Sequence, residues 1–156
     1  MLTIDIPGSA PLTLTHLVLD YNGSIAIDGE LLPGVVQRLE QLRRSLTIHV
    51  LTADTHGTVR EKLRATDIAV HVIGLQDQVA AKRRFVEELG TQFVVAAGNG
   101  RNDVQMLKAA SLGICIIQQE GAASGVVQAA DLVTTSILDA LDLLLVPDRL
   151  RATLRN

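Results

Sequence analysis

The chain has 156 residues, 47% of them hydrophobic, 20% charged and only 2% aromatic, with a formal net charge of −3. That length suits a single domain spanning residues 1–156 around a core of Val, Ile, Leu and Ala. The acidic balance and the scarcity of rings argue against a nucleic-acid partner, and the lack of an 18-residue apolar run argues against a membrane-spanning helix.

A single cysteine, Cys115, excludes an internal disulfide and suits a reducing compartment. Its place in the apolar run LGICII reads as core packing. The opening residues MLTIDIPGSA lack the basic start of a secretory leader, so a cytoplasmic location is expected.

Taken in order, Leu2–Ile6 and Leu12–Thr15 alternate around Pro7-Gly8-Ser9 and predict a strand pair. Leu17, Val18 and Leu19 make a short buried strand with Asp20 at its end and a turn at Asn22-Gly23. Two short runs then flank Asp28-Gly29, the signature of a two-residue hairpin, and predict a small flap. Pro33 opens a helix whose Val35, Val36, Leu39 and Leu42 share one face.

Leu46–Leu51 is the next strand, closed by Thr52 and followed by the polar loop Ala53-Asp54-Thr55-His56-Gly57. Thr58–Thr66 reads as a short charged helix, Ile68–Ile73 as a strand, and Lys82–Leu89 as part of a helix that starts near Lys82 and stops at Gly90. Gln92–Ala97 is a strand that runs into Gly98-Asn99-Gly100-Arg101-Asn102-Asp103, and Asp103–Ala110 is helical. Leu112–Ile117 and Leu132–Thr135 are strands on either side of a helix over Ala122–Ala130. Ser136 with Asp139 predicts a capping box for Ile137–Leu145, and Pro147 separates that helix from a final basic one.

Strands and helices alternate with short links, which predicts an α/β fold with a mainly parallel central sheet. Right-handed crossovers then place the strand C-termini along one edge, where ligands bind in open parallel sheets. Asp20, Thr52 and the segment Asn99–Asp103 all fall just past such ends. Two carboxylates, a hydroxyl and the ammonium of Lys82 would together suit a phosphate and a magnesium ion. Read singly, each has a plainer role: a paired structural acid, a strand-end hydroxyl, a solvated basic helix face beside Arg83 and Arg84, and a carboxylate favoured at a helix N-terminus. His16, His49, His56 and His71 show no metal-ligand spacing. His56, in the loop after Thr52, is the one placed to meet a substrate, and the other three read as packing or surface residues.

The order of the segments resembles the haloacid dehalogenase superfamily of phosphotransferases. The family pattern is carried by Asp20-Tyr21-Asn22-Gly23-Ser24, by LTAD with Thr52, by KRRFVEELG with Lys82, and by Gly98-Asn99-Gly100-Arg101-Asn102-Asp103. The likeness covers roughly residues 15–145 and is nearest to the soluble relatives of the P-type ATPase phosphorylation domain. It implies a three-layer Rossmann-like fold. It also implies a magnesium-dependent phosphohydrolase in which Asp20 is the nucleophile and forms an aspartyl-phosphate.

The same likeness gives Asp20, the carbonyl of Asn22, Asn99 and Asp103 to the metal. Ser24 matches the small hydroxyl residue that supports the turn and, with Thr52, Ala53, Lys82 and Asn102, is also assigned to the substrate, a phosphorylated small molecule or nucleotide. Two positions depart from the pattern. Asn22 stands where family phosphatases place an acid, so leaving groups that need no proton (nucleotide, acyl or aryl phosphates) should be favoured. Asn99 stands where the family has a metal-binding aspartate, so magnesium should bind more weakly. Neither Ile25–Leu51 nor Thr55–Ala81 has room for a cap domain, and the resulting open site leads to the expectation of a homo-oligomer. The two asparagines leave a second reading open, a degenerate relative that binds phosphate or a partner without turnover.

Overall fold

The computed structural model describes residues 1–54 and 57–156. Strands β1 (Leu2–Ile4) and β2 (Leu12–Leu14) pair antiparallel and lead into β3 (His16–Asp20). A hairpin of β4 (Ala26–Ile27) and β5 (Glu30–Leu31) follows, with Asp28 and Gly29 at its tip, both in the left-handed region. Then come α1 (Val35–Leu42), β6 (Thr47–Thr52), α2 (Thr58–Lys62), β7 (Ala69–Val72) and α3 (Gln78–Leu89). The chain continues through β8 (Val94–Gly98), α4 (Val104–Ala109), β9 (Leu112–Ile116), α5 (Ser124–Ala129), β10 (Leu132–Thr134), α6 (Ile137–Leu145) and α7 (Pro147–Leu154).

Six strands form one parallel sheet in the order β10-β9-β8-β3-β6-β7. The period-two alternation of the central strands divides the core into two layers. Leu17 and Leu19 of β3 and Val95 and Ala97 of β8 pack on the side of α1 and α6. Val18, Val94, Ala96 and Cys115 pack on the other side, with Val86 of α3, Met106 and Leu107 of α4 and Val126 of α5. Arg38 of α1 clamps Asp142 of α6 through two hydrogen bonds of 2.7 and 3.1 Å, which ties the outer helices of the first layer together.

From β3 the chain moves outward through β6 and β7, then returns to the opposite flank of β3 as β8. This reversal of strand order opens a crevice at the C-terminal end of β3, where the two crossovers part. Asp20 shares a face with Val18, so its side chain is directed to the α3 layer.

Several boundaries differ from the sequence expectation. The helix expected over Thr58–Thr66 ends at Lys62, and the following residues form turns. The helix bearing Lys82 begins four residues earlier, at Gln78, so Lys82 lies in its second turn and not at its start. The first residues of the expected strand Gln92–Ala97 form a 3-10 turn over Thr91–Phe93. Ser136 caps α6 by accepting from Leu138 N–H and not from that of Asp139, so the bond expected in a capping box is replaced by a simpler cap. His56 and Thr55 lie outside the described residues.

Candidate active site

The centre of the crevice is a buried charge cluster. The Lys82 ammonium donates to Asp20 Oδ1 and to Asp103 Oδ1, both at 2.6 Å. Lys82 is 1% exposed and Asp103 0%, so the three groups are taken almost wholly out of water. Such a cluster is stable only when every member is compensated. Asp103 is held by its second oxygen as well, which accepts from the backbone N–H groups of Asn99 at 3.1 Å and Gly100 at 2.8 Å. This close approach explains Gly98: a Cβ there would lie 2.5 Å from Asp103 Cγ.

Two carboxylates share one ammonium, so the cluster carries an excess negative charge. Burial, and then the charge of Asp103, push the Asp20 carboxyl up to about 7 against the pull of Lys82. For Lys82, burial acts to lower the pKa, but Asp20 and Asp103 outweigh it and the net shift is upward. Of the two acids Asp20 is the one that reaches the crevice, because the end of β3 leaves it 9% exposed.

The crevice holds a cleft of about 270 Å³ lined by Asp20, Asn22, Thr52, Ala53, Lys82, Asn99 and Asn102, among others. Thr52 is buried, and its hydroxyl oxygen accepts from Asp54 N–H at 3.1 Å. That bond leaves the Thr52 O–H free to donate into the cleft. Asn102 donates to Gln78 Oε1 at 2.7 Å, which fixes its side chain against the first turn of α3. Asn22 is exposed at the rim.

Asp103 and Ser24 stand behind this lining. Ser24, expected from the sequence to contact substrate, is instead fully buried, and its hydroxyl points to Asn99 Oδ1 at 3.4 Å. The tight turn after Asp20 draws the chain inward at Gly23, which removes Ser24 from the cleft surface. Asn99 in turn donates to Gly121 O at 3.0 Å.

Two supporting residues carry no motif and escaped the sequence reading. Gln118, in the loop after β9, donates to the carbonyls of Gly23 at 3.2 Å and Ser24 at 2.6 Å, and accepts from Ile137 N–H. It therefore joins the turn after Asp20 to the start of α6. Glu120 accepts from Asp28 N–H at 3.0 Å, while Lys62 donates to Gly29 O at 2.6 Å and pairs with Glu30 at 2.7 Å. The flap is thus held from both sides of the cleft. Only proximity in the fold reveals these contacts, which span up to 95 residues.

Among the described residues no three acids, histidines or cysteines converge on one point as a metal cluster. A cation here would need Asp20 and Asp103 plus neutral oxygens from the Asn22 carbonyl and Asn99. That hard-oxygen set suits magnesium, which is commonly held by one or two carboxylates and water. The excess negative charge of the cluster favours it further.

The chain is similar to known proteins in sequence and in fold. A family model for haloacid dehalogenase-like hydrolases matches residues 5–111. An uncharacterized protein of Methanocaldococcus jannaschii is 48% identical over 80 residues, 49% of this chain and 86% of that protein. Among solved structures, a HAD family hydrolase from Streptomyces avermitilis is similar with a TM-score of 0.70 and 24% identity, over 91% of this chain and 92% of the other. The cobalt-bound deoxy-D-mannose-octulosonate 8-phosphate phosphatase of Haemophilus influenzae is similar with a TM-score of 0.73 and 13% identity, over 92% and 94%. The 3-deoxy-D-manno-octulosonate 8-phosphate phosphatase of Moraxella catarrhalis, in complex with a magnesium ion, a phosphate ion and a KDO molecule, is similar with a TM-score of 0.65 and 18% identity, over 90% and 92%. The chain belongs to the haloacid dehalogenase-like hydrolases.

Proposed function

We propose that the protein is a magnesium-dependent phosphohydrolase that works through an aspartyl-phosphate on Asp20. The observation that carries this reading is the Lys82 ammonium, held 2.6 Å from both Asp20 and Asp103 in a buried cluster at the centre of the crevice. The ammonium fixes the Asp20 carboxylate and offsets the charge that an incoming phosphate brings. An Asp20 oxygen attacks phosphorus, and the bond to the leaving oxygen breaks with its electron pair. Thr52 O–H and the Asn102 amide hold phosphoryl oxygens, and water then hydrolyses the acyl phosphate to regenerate Asp20. Magnesium, held by Asp20, Asp103, Asn22 O and Asn99, would supply further charge neutralisation.

Asn22 cannot protonate a departing alkoxide. The reading therefore favours nucleotide, acyl or aryl phosphates over simple alkyl esters. The phosphorylated sugar named for the octulosonate phosphatases supports a phosphorylated small molecule as the general substrate class, and the reading takes the chain as a single 1–156 domain that acts in the cytoplasm, with its open cleft covered by assembly of several copies. The test is release of nitrophenol from nitrophenyl phosphate with magnesium, by the wild type and by Asp20→Asn. The expected result is turnover in the first and a loss of at least about 1000-fold in the second. Equal rates would overturn the mechanism. The pair Asn22 and Asn99 favours one other reading, a phosphate-binding regulator. Phosphate binding with no turnover on any of the three substrate types would establish it.

A further inference from the structure

His16, His49 and His71 lie far apart in sequence, on three adjacent parallel strands, β3, β6 and β7. The register pairs His16 with Thr47 and His49 with Ala69, so each ring meets the next along the diagonal of the sheet. His16 Nδ1 lies 3.1 Å from His49 Nε2, and His49 Nδ1 lies 3.1 Å from His71 Nε2. His49, the middle ring, is 8% exposed. Phe85 of α3 closes the row, with its ring centre 5.3 Å from that of His49 and 4.6 Å from that of His71.

We propose that these three rings form a ladder that accepts one proton and no more, and that loading it further loosens α3, the helix that carries Lys82. The capacity follows from counting nitrogens. Each of the two links needs one N–H and one lone pair, and each end of the row has one free nitrogen. Two links and two ends make four proton positions. Three neutral rings fill three of them, so one added proton fills the fourth with both links intact. A second added proton must place two N–H groups face to face in one link. The only relief is water, and water reaches His49 only if Phe85 is lifted.

The charges around the row do not offset this. Burial lowers the pKa of all three rings, and His49 is pulled down to about 4 with the help of its two neighbours. Arg60 of α2 opposes protonation of His71 further. From α3 the row meets the uncharged Phe85, with the exposed Arg84 and Glu88 on the same helix turn and Lys82 engaged elsewhere. From β8, His16 faces Val94 across the ladder. Phe85 is one turn from Lys82, so the seat of one is the seat of the other.

The test uses the 15N-labelled full chain without ligand, titrated from pH 7.5 to 4.5. Ring-nitrogen spectra should show a single protonation shared along the row, with His49 taking no proton of its own above pH 5. Protection of the α3 amides of Phe85 and Val86, corrected for intrinsic exchange, should fall at least tenfold across that range and stay below that of Val95 and Ala96 of β8, which open only with the whole fold. Near pH 5 the unfolded chain holds three protons on these rings and the folded row one. The row alone therefore raises the unfolding constant about 100-fold for each pH unit of acidification, and His71→Gln, whose amide oxygen can accept from His49 Nδ1–H so that two rings still take one added proton, should reduce this to about tenfold. Three independent titrations near the ordinary histidine value, or α3 protection that does not change, would overturn the proposal, and the wild-type spectra decide it even if the variant does not fold.

Discussion

A Cβ placed on Gly23 would stand 2.3 Å from Asn99 Nδ2, inside any allowed contact. Gly23 also has a φ of +79°, in the left-handed region that side chains rarely adopt. The turn after Asp20 and the loop after β8 therefore fit together only because this position has no side chain. Gly23→Ala should cost about 1–3 kcal/mol of stability from strain and displacement together, read by urea unfolding. It should also impair activity by moving Asn99 and the turn at once. Unchanged stability would mean that the loop yields more easily than its hydrogen bonds indicate.

The buried cluster sets a pH dependence whose sign can be worked out. Asp20 has a folded-state pKa of about 7, raised from 3.8. Between those values the folded chain holds a proton that the unfolded chain has lost. The stabilisation is therefore complete below 3.8 and is lost as the pH rises through 7. In the presence of EDTA, Asp20→Asn should be more stable than the wild type at pH 8, on the order of 2–4 kcal/mol, with the advantage fading toward pH 5. Lys82→Met should show the opposite at pH 8, a loss of about 3–5 kcal/mol, because it leaves two buried carboxylates without their cation.

Asn22 is exposed at the cleft rim, where a longer or charged side chain costs little. Asn22→Asp should place a proton donor beside the leaving oxygen. Turnover of an alkyl phosphate should rise about 100-fold, and that of nitrophenyl phosphate should change little. Steady-state kinetics on the two substrates give the comparison. A uniform change across both would show that position 22 acts on binding and not on proton transfer.

The succession of strands along the chain, the flap and the convergence of Asp20, Thr52, Lys82 and Asp103 on one sheet edge could be read from the sequence, because each rests on a local pattern: an apolar run with a polar residue at its end, Asp-Gly between short alternating runs, glycines before a helix. The start of α3 could not, since Asp77 enters the helix from the left-handed region and Val79 in the first turn is exposed, so no buried apolar position marks where the helix begins. Ser24 looked like a substrate contact because its depth depends on the turn at Gly23, and Gln118 looked like a loop residue because its partners lie 94 and 95 positions away. The histidines looked scattered for the same reason. Their spacing in sequence is irregular, and only strand register brings the rings into a row.

Asn99 donates to Gly121 O at 3.0 Å, so the position is tuned to an amide. Asn99→Asp should strengthen magnesium binding, measured by calorimetry, by at least about tenfold, since a second charged oxygen is what the small cation prefers. In the metal-free protein the same change should cost about 1–3 kcal/mol, because a carboxylate would face the Gly121 carbonyl. Gain and loss should thus appear in opposite states of one variant.

The chain has no tryptophan and one tyrosine. Tyr21 follows Asp20 directly, is 2% exposed, and donates its hydroxyl to Gly29 O at the flap tip at 3.0 Å. Excited at wavelengths that phenylalanine does not absorb, the whole molecule thus emits from a single chromophore wedged between Asp20 and the hairpin. Unlabelled protein carries its own optical gauge of the hairpin, and a stopped-flow trace of that signal would report whether phosphate entering the cleft displaces it.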